Sequence, residues 1–356
     1  MSPFNICLVE NPMTEQNTEI QSTEIKRPQE LPEWPVNWPC AWGLPAATAD
    51  IRQQNSDFRV EELISDGLFQ GGEHQCIQVE KEGQNTAYVA RRLANHAGVR
   101  EMDVGYCGLK DRNAVTTQWF SIYYGKRPRW NPDNLDLDGV RVRQVASFSR
   151  KLRRGDHSGN RFRLKLTNPV GDKSEVERRL MRVSDNGVPN YFGEQRFGRD
   201  GHNLKVAHQW FTGQKRMKVR QGAIYISAAR SFLFNCLLAE RVANGNWCSP
   251  VDGDRVVDAA LQLSLFGDGE PLESGEASGY SRHIEEAHAV FANGLRSNRI
   301  AMAYRDAVCK PKSLQWEWEG DNLWIIFELQ PGSYATSVLR EIATIRDVSL
   351  LRQKQA

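Results

Sequence analysis

Two periods of apolar residues run through the first 185 positions. Phe58 and Val60 alternate with Asp57, Arg59 and Glu61, and Phe162-Arg163-Leu164-Lys165-Leu166 alternates without a break. That period of two belongs to strands with one wet face. Cys76-Ile77-Gln78-Val79 and the aromatic run Trp119-Phe120-Ser121-Ile122-Tyr123-Tyr124 predict two further strands. Between them Val89, Leu93 and Ala97 share a helical face, with Asn85 or Thr86 placed to cap it and Gly98 to end it. Ser174 and Glu177 have the spacing of a capping box ahead of Val176, Leu180 and Val183.

Past Gly187 the texture changes. Ser227 to Gly245 predicts one long helix with Leu233, Cys236 and Leu237 on a face, and 252–279 reads as loop, with Gly267, Gly269, Gly275 and Gly279 among acids. Strand periodicity then returns. Leu314, Trp316 and Trp318 alternate with Gln315 and Glu317, Gly320-Asp321-Asn322 turns the chain, and Leu323 to Phe327 comes back as the second arm. Ser333 is placed to cap a last helix carrying Val338, Leu339 and Ile342. Mixed elements with hairpin-like spacing predict an α+β fold with a mostly antiparallel sheet. The order sheet, helix, sheet predicts a segment inserted into one sheet domain.

Composition adds limits. A chain of 356 residues with 40% apolar residues can bury a large core without staples. No apolar run approaches the roughly 20 residues of a membrane span, and the start lacks a secretory pattern. The seven Cys, at 7, 40, 76, 107, 236, 248 and 309, form no Cys-x-x-Cys pair. An odd, unpatterned set points to a reducing, cytoplasmic setting and to no zinc ribbon. The seven His are equally dispersed, so no metal and no cofactor is expected. Net charge is only +2, but its distribution is uneven: residues 1–35 hold six Glu against Lys26 and Arg27. That segment, broken by Pro3, Pro12, Pro28, Pro32 and Pro35, is expected to be a mobile extension. Trp34, Trp38 and Trp42, set between prolines, predict an extended stretch lying on a domain surface.

Three places could carry chemistry. The glycines of 267–279 lack the Gly-Lys-Ser/Thr of a phosphate loop and sit beside Asp268, Glu270, Glu273 and Glu276, which would repel an anion. Between 150 and 165 lie Arg150, Lys151, Arg153, Arg154, Arg161, Arg163 and Lys165, against Asp156 alone, with Phe162 embedded. Fixed cations with a stacking ring suit RNA, and a solvated basic loop would look the same. The third is Gly105-Tyr106-Cys107-Gly108-Leu109-Lys110-Asp111-Arg112, leading through Asn113-Ala114-Val115-Thr116-Thr117-Gln118 into a strand. A carboxylate between two cations in a loop at a strand edge suits a nucleophile or base, and a surface turn has the same composition.

The last stretch resembles the signature of the TruD family of tRNA pseudouridine synthases, Gly-x-Lys-Asp followed by Ala-x-Thr-x-Gln. Gly108-Leu109-Lys110-Asp111 with Ala114, Thr116 and Gln118 carries it. Gly159-Asn160-Arg161-Phe162, the run from Val188 to Gly198, and Pro331-Gly332-Ser333-Tyr334-Ala335-Thr336-Ser337 match in order, and Asp57 to Glu62 resembles the family's first motif. The resemblance spans about residues 40 to 350. It implies an isomerase, with tRNA as partner, that turns uridine into pseudouridine, at position 13 in this family. It also implies a pseudouridine-synthase catalytic domain over 36–186 and 311–356, with a family-specific domain inserted at 187–310 and RNA held between them.

By the same resemblance Asp111 is the nucleophile, Phe162 stacks on the flipped uracil, and Phe58, Asn160 and Tyr334 contact substrate. Tyr334 stands where the family usually has Phe. Arg52 stands where it usually has Lys, near the aspartate, and keeps the charge while changing the geometry. Lys110 is the second supporting cation, and Arg150, Lys151, Arg153 and Arg154 are expected to meet RNA phosphates. Two rivals are a non-catalytic RNA-binding or chaperone module on the same fold, and a hydrolase using Glu61 and Glu62. Adjacent strand residues point to opposite faces, which makes that pair a poor acid/base couple.

Overall fold

The computed structural model describes residues 34, 37–45, 47–69, 71–125 and 128–349. The expected mobile extension over 1–35 therefore falls outside the described residues, apart from Trp34.

The chain opens with β1 (Thr48–Ile51), β2 (Phe58–Leu63), β3 (His74–Glu82), α1 (Thr86–Ala97), β4 (Val104–Tyr106), β5 (Val115–Tyr123), β6 (Val140–Phe148), β7 (Gly159–Val170) and α2 (Lys173–Asn186). It continues through β8 (Val188–Pro189), α3 (His202–Phe211), α4 (Ala223–Ala243), β9 (Arg255–Val257), β10 (Ala260–Leu265), α5 (Gly275–Ala287), α6 (Ala289–Ser297), β11 (Ala303–Asp306) and β12 (Val308–Cys309). It closes with β13 (Lys312–Glu319), β14 (Asn322–Leu329), α7 (Ala335–Ile342) and β15 (Thr344–Asp347).

A ten-stranded sheet has the order β13-β14-β7-β2-β5-β3-β6, with β1, β4 and β15 branching from it. Only the β2–β5 and β1–β15 pairs are parallel, so the antiparallel α+β expectation holds. The alternation on β7 places Phe162, Leu164 and Leu166 on one face, against Val60 of β2 and Ile325 and Phe327 of β14. Helices α2 and α7 cover that face with Val176, Leu180, Val183, Val338, Leu339 and Ile342. Alongside, α1 covers Ile77, Val79, Phe120 and Ile122. Arg161, Arg163 and Lys165 lie on the opposite face.

Residues 190–307 contribute no strand to this sheet. They pack α3 to α6 and the three-stranded sheet β11-β10-β9 around Phe232, Leu233, Phe234 and Phe291. Trp38 is buried in this cluster and stacks on Tyr191. None of the helices among the described residues is long and apolar enough to cross a membrane.

Several local expectations are corrected. The cap of α2 is Asp172, whose side chain accepts from Ser174 N–H at 2.9 Å, not Ser174 with Glu177. Glu177 instead accepts from the Trp318 indole. Neither Asn85 nor Thr86 caps α1 through its side chain, although Gly98 ends it at φ 66°. Ser333 does not cap α7, because Tyr334 stands at that position. The long helix starts at Ala223 after Gly222, four residues early. The stretch 252–279 holds β9, β10 and the first turn of α5, so its glycines punctuate short elements instead of marking one loop.

Candidate active site

The Gly108–Ala114 loop joins β4 to β5 and is held from two sides. Gly105 is needed at its approach, because a Cβ there would lie 2.4 Å from Leu152 O. From α1, the Thr86 hydroxyl accepts from Lys110 N–H at 2.9 Å and donates to Gln118 Oε1 at 2.8 Å. From β5, Gln118 Nε2 donates to Gly108 O at 3.2 Å. Thr86 of α1 and Gln118, the Gln of the sequence pattern, therefore fasten the loop.

Asp111 is 36% exposed and meets Arg52 Nη2 at 2.7 Å through Oδ2. No hydrogen bond among the described residues reaches its Oδ1. Arg52 follows β1, holds a left-handed φ of 57°, and is only 4% exposed. Its Nη1 donates to Asp347, and its guanidinium lies 3.8 Å over the Phe58 ring. Bidentate use of the planar fork, one arm per carboxylate, with a ring below, is what Arg offers and Lys does not.

Phe58 meets Phe162 edge-on at 6.5 Å, and Phe162 stacks on Phe327 at 5.4 Å with planes 25° apart. Asp111, Arg52, Phe58 and Phe162 thus form one contiguous chain of contacts. Phe162 is only 8% exposed, so it is a core ring as well as a candidate platform. Two residues before it on β7, Asn160 lies opposite Glu62 and Leu329. Its Oδ1 is buried with no hydrogen-bond partner among the described residues. A lone buried acceptor is costly unless something fills it.

Tyr334 sits elsewhere in this network. Its hydroxyl accepts from Arg196 Nη2 at 2.7 Å and Nε at 3.2 Å, and its ring meets Phe192 at 6.0 Å. None of the described hydrogen bonds or ring contacts joins it to Asp111, Phe58, Asn160 or Phe162. Lys110 also departs from expectation. Its ammonium lies 2.6 Å from Glu62 Oε2, so it does not pair with Asp111. Arg112 donates to Gly83 O. The cation beside Asp111 is therefore neither sequence neighbour but Arg52, 59 positions away.

The family model for tRNA pseudouridine synthase D (TruD) matches residues 40–213 and 202–303. A tRNA pseudouridine synthase D of Marinobacter nauticus is 41% identical over 91% of this chain and 99% of its own length. One from Cellvibrio japonicus is 38% identical over 89% and 96%. This chain belongs to the TruD family. A crystal structure from Methanosarcina mazei, provisionally given the same name, covers 85% of this chain and 95% of its own at a TM-score of 0.65 and 18% identity, which shows the shared fold.

Sequence reasoning missed Lys81 of this TruD-family site, and weighed Glu62 only beside Glu61 without its burial and its pairing with Lys110. Glu62 is 0% exposed, and both its oxygens are filled, one by Lys110 and the other by Trp119 N–H at 3.0 Å. Glu61 faces away and meets Arg161, so the two glutamates do lie on opposite faces. Lys81 is 0% exposed under the loop. The only sequence signal for either was a charged residue at an inward-facing strand position. Burial, aided by the charge of Glu62, pushes the neighbouring Cys107 thiol up.

The basic cluster divides. Arg150 pairs with Asp156 at 2.6 Å, which draws the Asp156 carboxyl below its ordinary range, and Lys151 donates to Met102 O. Arg153 and Arg154 are exposed, with no side-chain ion pair among the described residues. On the outer face of β7, Arg161 meets Glu328 at 2.8 Å, Lys165 meets Glu319 at 2.6 Å, and Arg163 covers Trp324. Among the described residues no group of three or more His, Cys, Asp or Glu is placed to hold a metal ion.

Proposed function

We propose that this protein isomerises uridine to pseudouridine in tRNA with Asp111 as its nucleophile. The observation that carries the assignment is the Asp111 carboxylate, gripped by Arg52 through one oxygen and open at the other, beside the Phe58–Phe162 ring pair. The uracil must leave its stack to reach such a site. The N1–C1′ bond breaks, the base turns, and C5 bonds to C1′ while its hydrogen leaves for water as a proton and N1 takes up a proton, so the product is an isomer and no redox partner is needed. The unpartnered Asn160 Oδ1 can accept from the uracil N3–H. Arg52 supplies positive charge where the carboxylate must stay reactive, and the Phe162 edge supplies apolar surface. Residues 36–186 with 311–356 form the catalytic domain and 187–310 the insertion, Tyr334 faces the bound nucleotide from the insertion's side, and Arg150, Lys151, Arg153 and Arg154 meet RNA phosphates. A reducing, cytoplasmic setting suits the free thiols of Cys40, Cys76, Cys107, Cys236, Cys248 and Cys309.

Asp111→Asn tests the reading, since Asn has the same size and is a much poorer nucleophile. The variant is expected to fold, to bind tRNA within about threefold of the parent, and to release no tritium from uridine labelled at C5. Tritium release at a substantial fraction of the parent rate would overturn it. The target is uridine-13, so a transcript lacking that uridine should accept no pseudouridine. Equal modification of an unrelated single strand would remove the position and leave the chemistry.

A further inference from the structure

Lys81 lies on the helix-covered face of β3 with no solvent exposure. Lysines this buried ordinarily meet a carboxylate. None of the ion pairs among the described residues includes it. Its Nζ donates instead to three main-chain carbonyls: Gln84 O at 2.8 Å, Asp111 O at 2.9 Å and Lys110 O at 3.3 Å. An ammonium has three N–H donors and no acceptor, so the protonated form satisfies all three oxygens. A neutral amine has two donors, and its lone pair would face the third carbonyl. Two of the three carbonyls belong to Lys110 and Asp111. The third directly precedes α1, whose Thr86 holds Lys110 N–H. One cation thus ties the loop to the turn that positions it.

We propose that Lys81 is a positioning residue for the isomerisation: its ammonium fixes the main chain of Lys110 and Asp111, and loss of its proton lets the Asp111 carboxylate leave its working place. This rests on the reading of Asp111 as nucleophile.

Titration supports the geometry. Burial lowers the Lys81 pKa to about 8, the Asp111 carboxylate opposes that shift, and the Lys110 ammonium adds to it. Its cross-strand neighbours, Thr116 on β5 and Val140 on β6, carry no charge. From the turn before α1 the facing group is Gln84 O, also uncharged. The sign of the linkage separates function from stability. The native pKa lies below the ordinary lysine value, so between about pH 8 and the unfolded value the unfolded chain holds more protons. The Lys81 contribution to stability therefore rises as pH climbs through that window. The proposal has activity falling through the same window, because the displaced loop leaves Lys81 buried but without the Lys110 and Asp111 carbonyls, where the neutral amine is favoured even more than in the closed site. A purely structural lysine would not produce that divergence.

The experiment is single-turnover pseudouridine formation, enzyme in excess over tRNA, followed from pH 6.5 to 9.5 with affinity and thermal midpoint at each pH. The parent rate is expected to fall with a midpoint near 8 while tRNA affinity holds. Lys81→Met should be at least tenfold slower at pH 7, with near-parent affinity, and should lack that limb. Lys81→Gln keeps two donors without the titration, and should recover part of the rate while also lacking the limb. Ionisation of the uracil itself is common to all three proteins and cancels in the comparison. A folded Lys81→Met protein with the parent rate, or the same limb in every variant, would overturn the proposal. Should the variants not fold, amide exchange in the parent decides. After correction for intrinsic pH dependence, protection over 108–114 should drop through pH 8 while α4 is unchanged, and a loop unaffected by pH would end the idea. Failure of the Asp111 reading shows separately, as tritium release by Asp111→Asn.

Discussion

Arg241 and Asp254, in the helical region, are each 1% exposed, and Asp254 has both oxygens filled, by the two arms of Arg241 at 2.9 and 2.8 Å and by Val251 N–H at 2.7 Å. Arg241 spends its remaining donors on Asn246 and Ser249 O. At the sheet, Arg52 is as deeply buried, but its partner Asp111 keeps one oxygen unfilled and a third of its side chain in solvent. A saturated pair can only hold structure in place. An unsaturated one, whose cation is also tied to Asp347, leaves a charge free for something that comes and goes. Glu62 of β2 sharpens the contrast, since its partner Lys110 directly precedes Asp111 and yet Glu62 is closed like Asp254.

The sharpest way to break this comparison is a double dissociation. Asp111→Asn should remove all detectable pseudouridine formation and change unfolding free energy by under about 1 kcal/mol, because Arg52 retains Asp347 and the amide left behind is about one-third in solvent. Arg241→Met should do the reverse. It strands a buried carboxylate and should cost about 3–5 kcal/mol in a urea titration, with the rate per folded molecule unchanged. A rate defect in Arg241→Met would mean that the helical region does more than support.

Arg52→Lys comes next in size. It keeps the charge but cannot serve two carboxylates and a ring at once, so single-turnover rates should fall by about 10–100-fold with affinity held. A parent-like rate would make the fork irrelevant. Phe162→Ala should lose about 1–3 kcal/mol of base stacking in the rate, and stability too, since the ring also packs on Phe327. Phe162→Tyr should recover most of the rate, and failure to do so would place the uracil elsewhere. The smallest effect belongs to Arg153 and Arg154. Replacing both by Ala should make the log–log salt dependence of tRNA affinity shallower by about 1–2 units. Arg150→Ala should change it less, because Asp156 already neutralises that side chain.

Periodicity made β7 and the β13–β14 hairpin legible, because one face of each is buried and the other wet. It failed over 252–279, where strands of three and six residues are too short to set a period among glycines. The α2 cap went to Asp172 instead of Ser174 because either residue has a short polar side chain, and only the backbone decides which is in place. At the site, motif resemblance pointed to Asp111, Arg52, Phe58 and Phe162, which the structure brings into one chain of contacts. Lys110 was assigned to the wrong carboxylate, since a residue adjacent in sequence projects elsewhere in an irregular loop. Lys81 and Glu62 were unreadable, because their partners are main-chain atoms and side chains from distant strands.

One pairing also joins parts of the chain that are made far apart in time. Strand β1 lies parallel to β15, with Asp50 opposite Arg346, and Arg52 at its end reaches Asp347. Contacts across some 295 positions close late, after the loop entropy between them has been met. A chain growing from its N-terminus makes Asp111 early, and the Arg52–Asp347 pair can form only once residue 347 has left the ribosome. On the reading of Asp111 as nucleophile, a chain that ends before β15 carries the carboxylate without the Arg52–Asp347 pair, and is expected to form pseudouridine more slowly than the full chain.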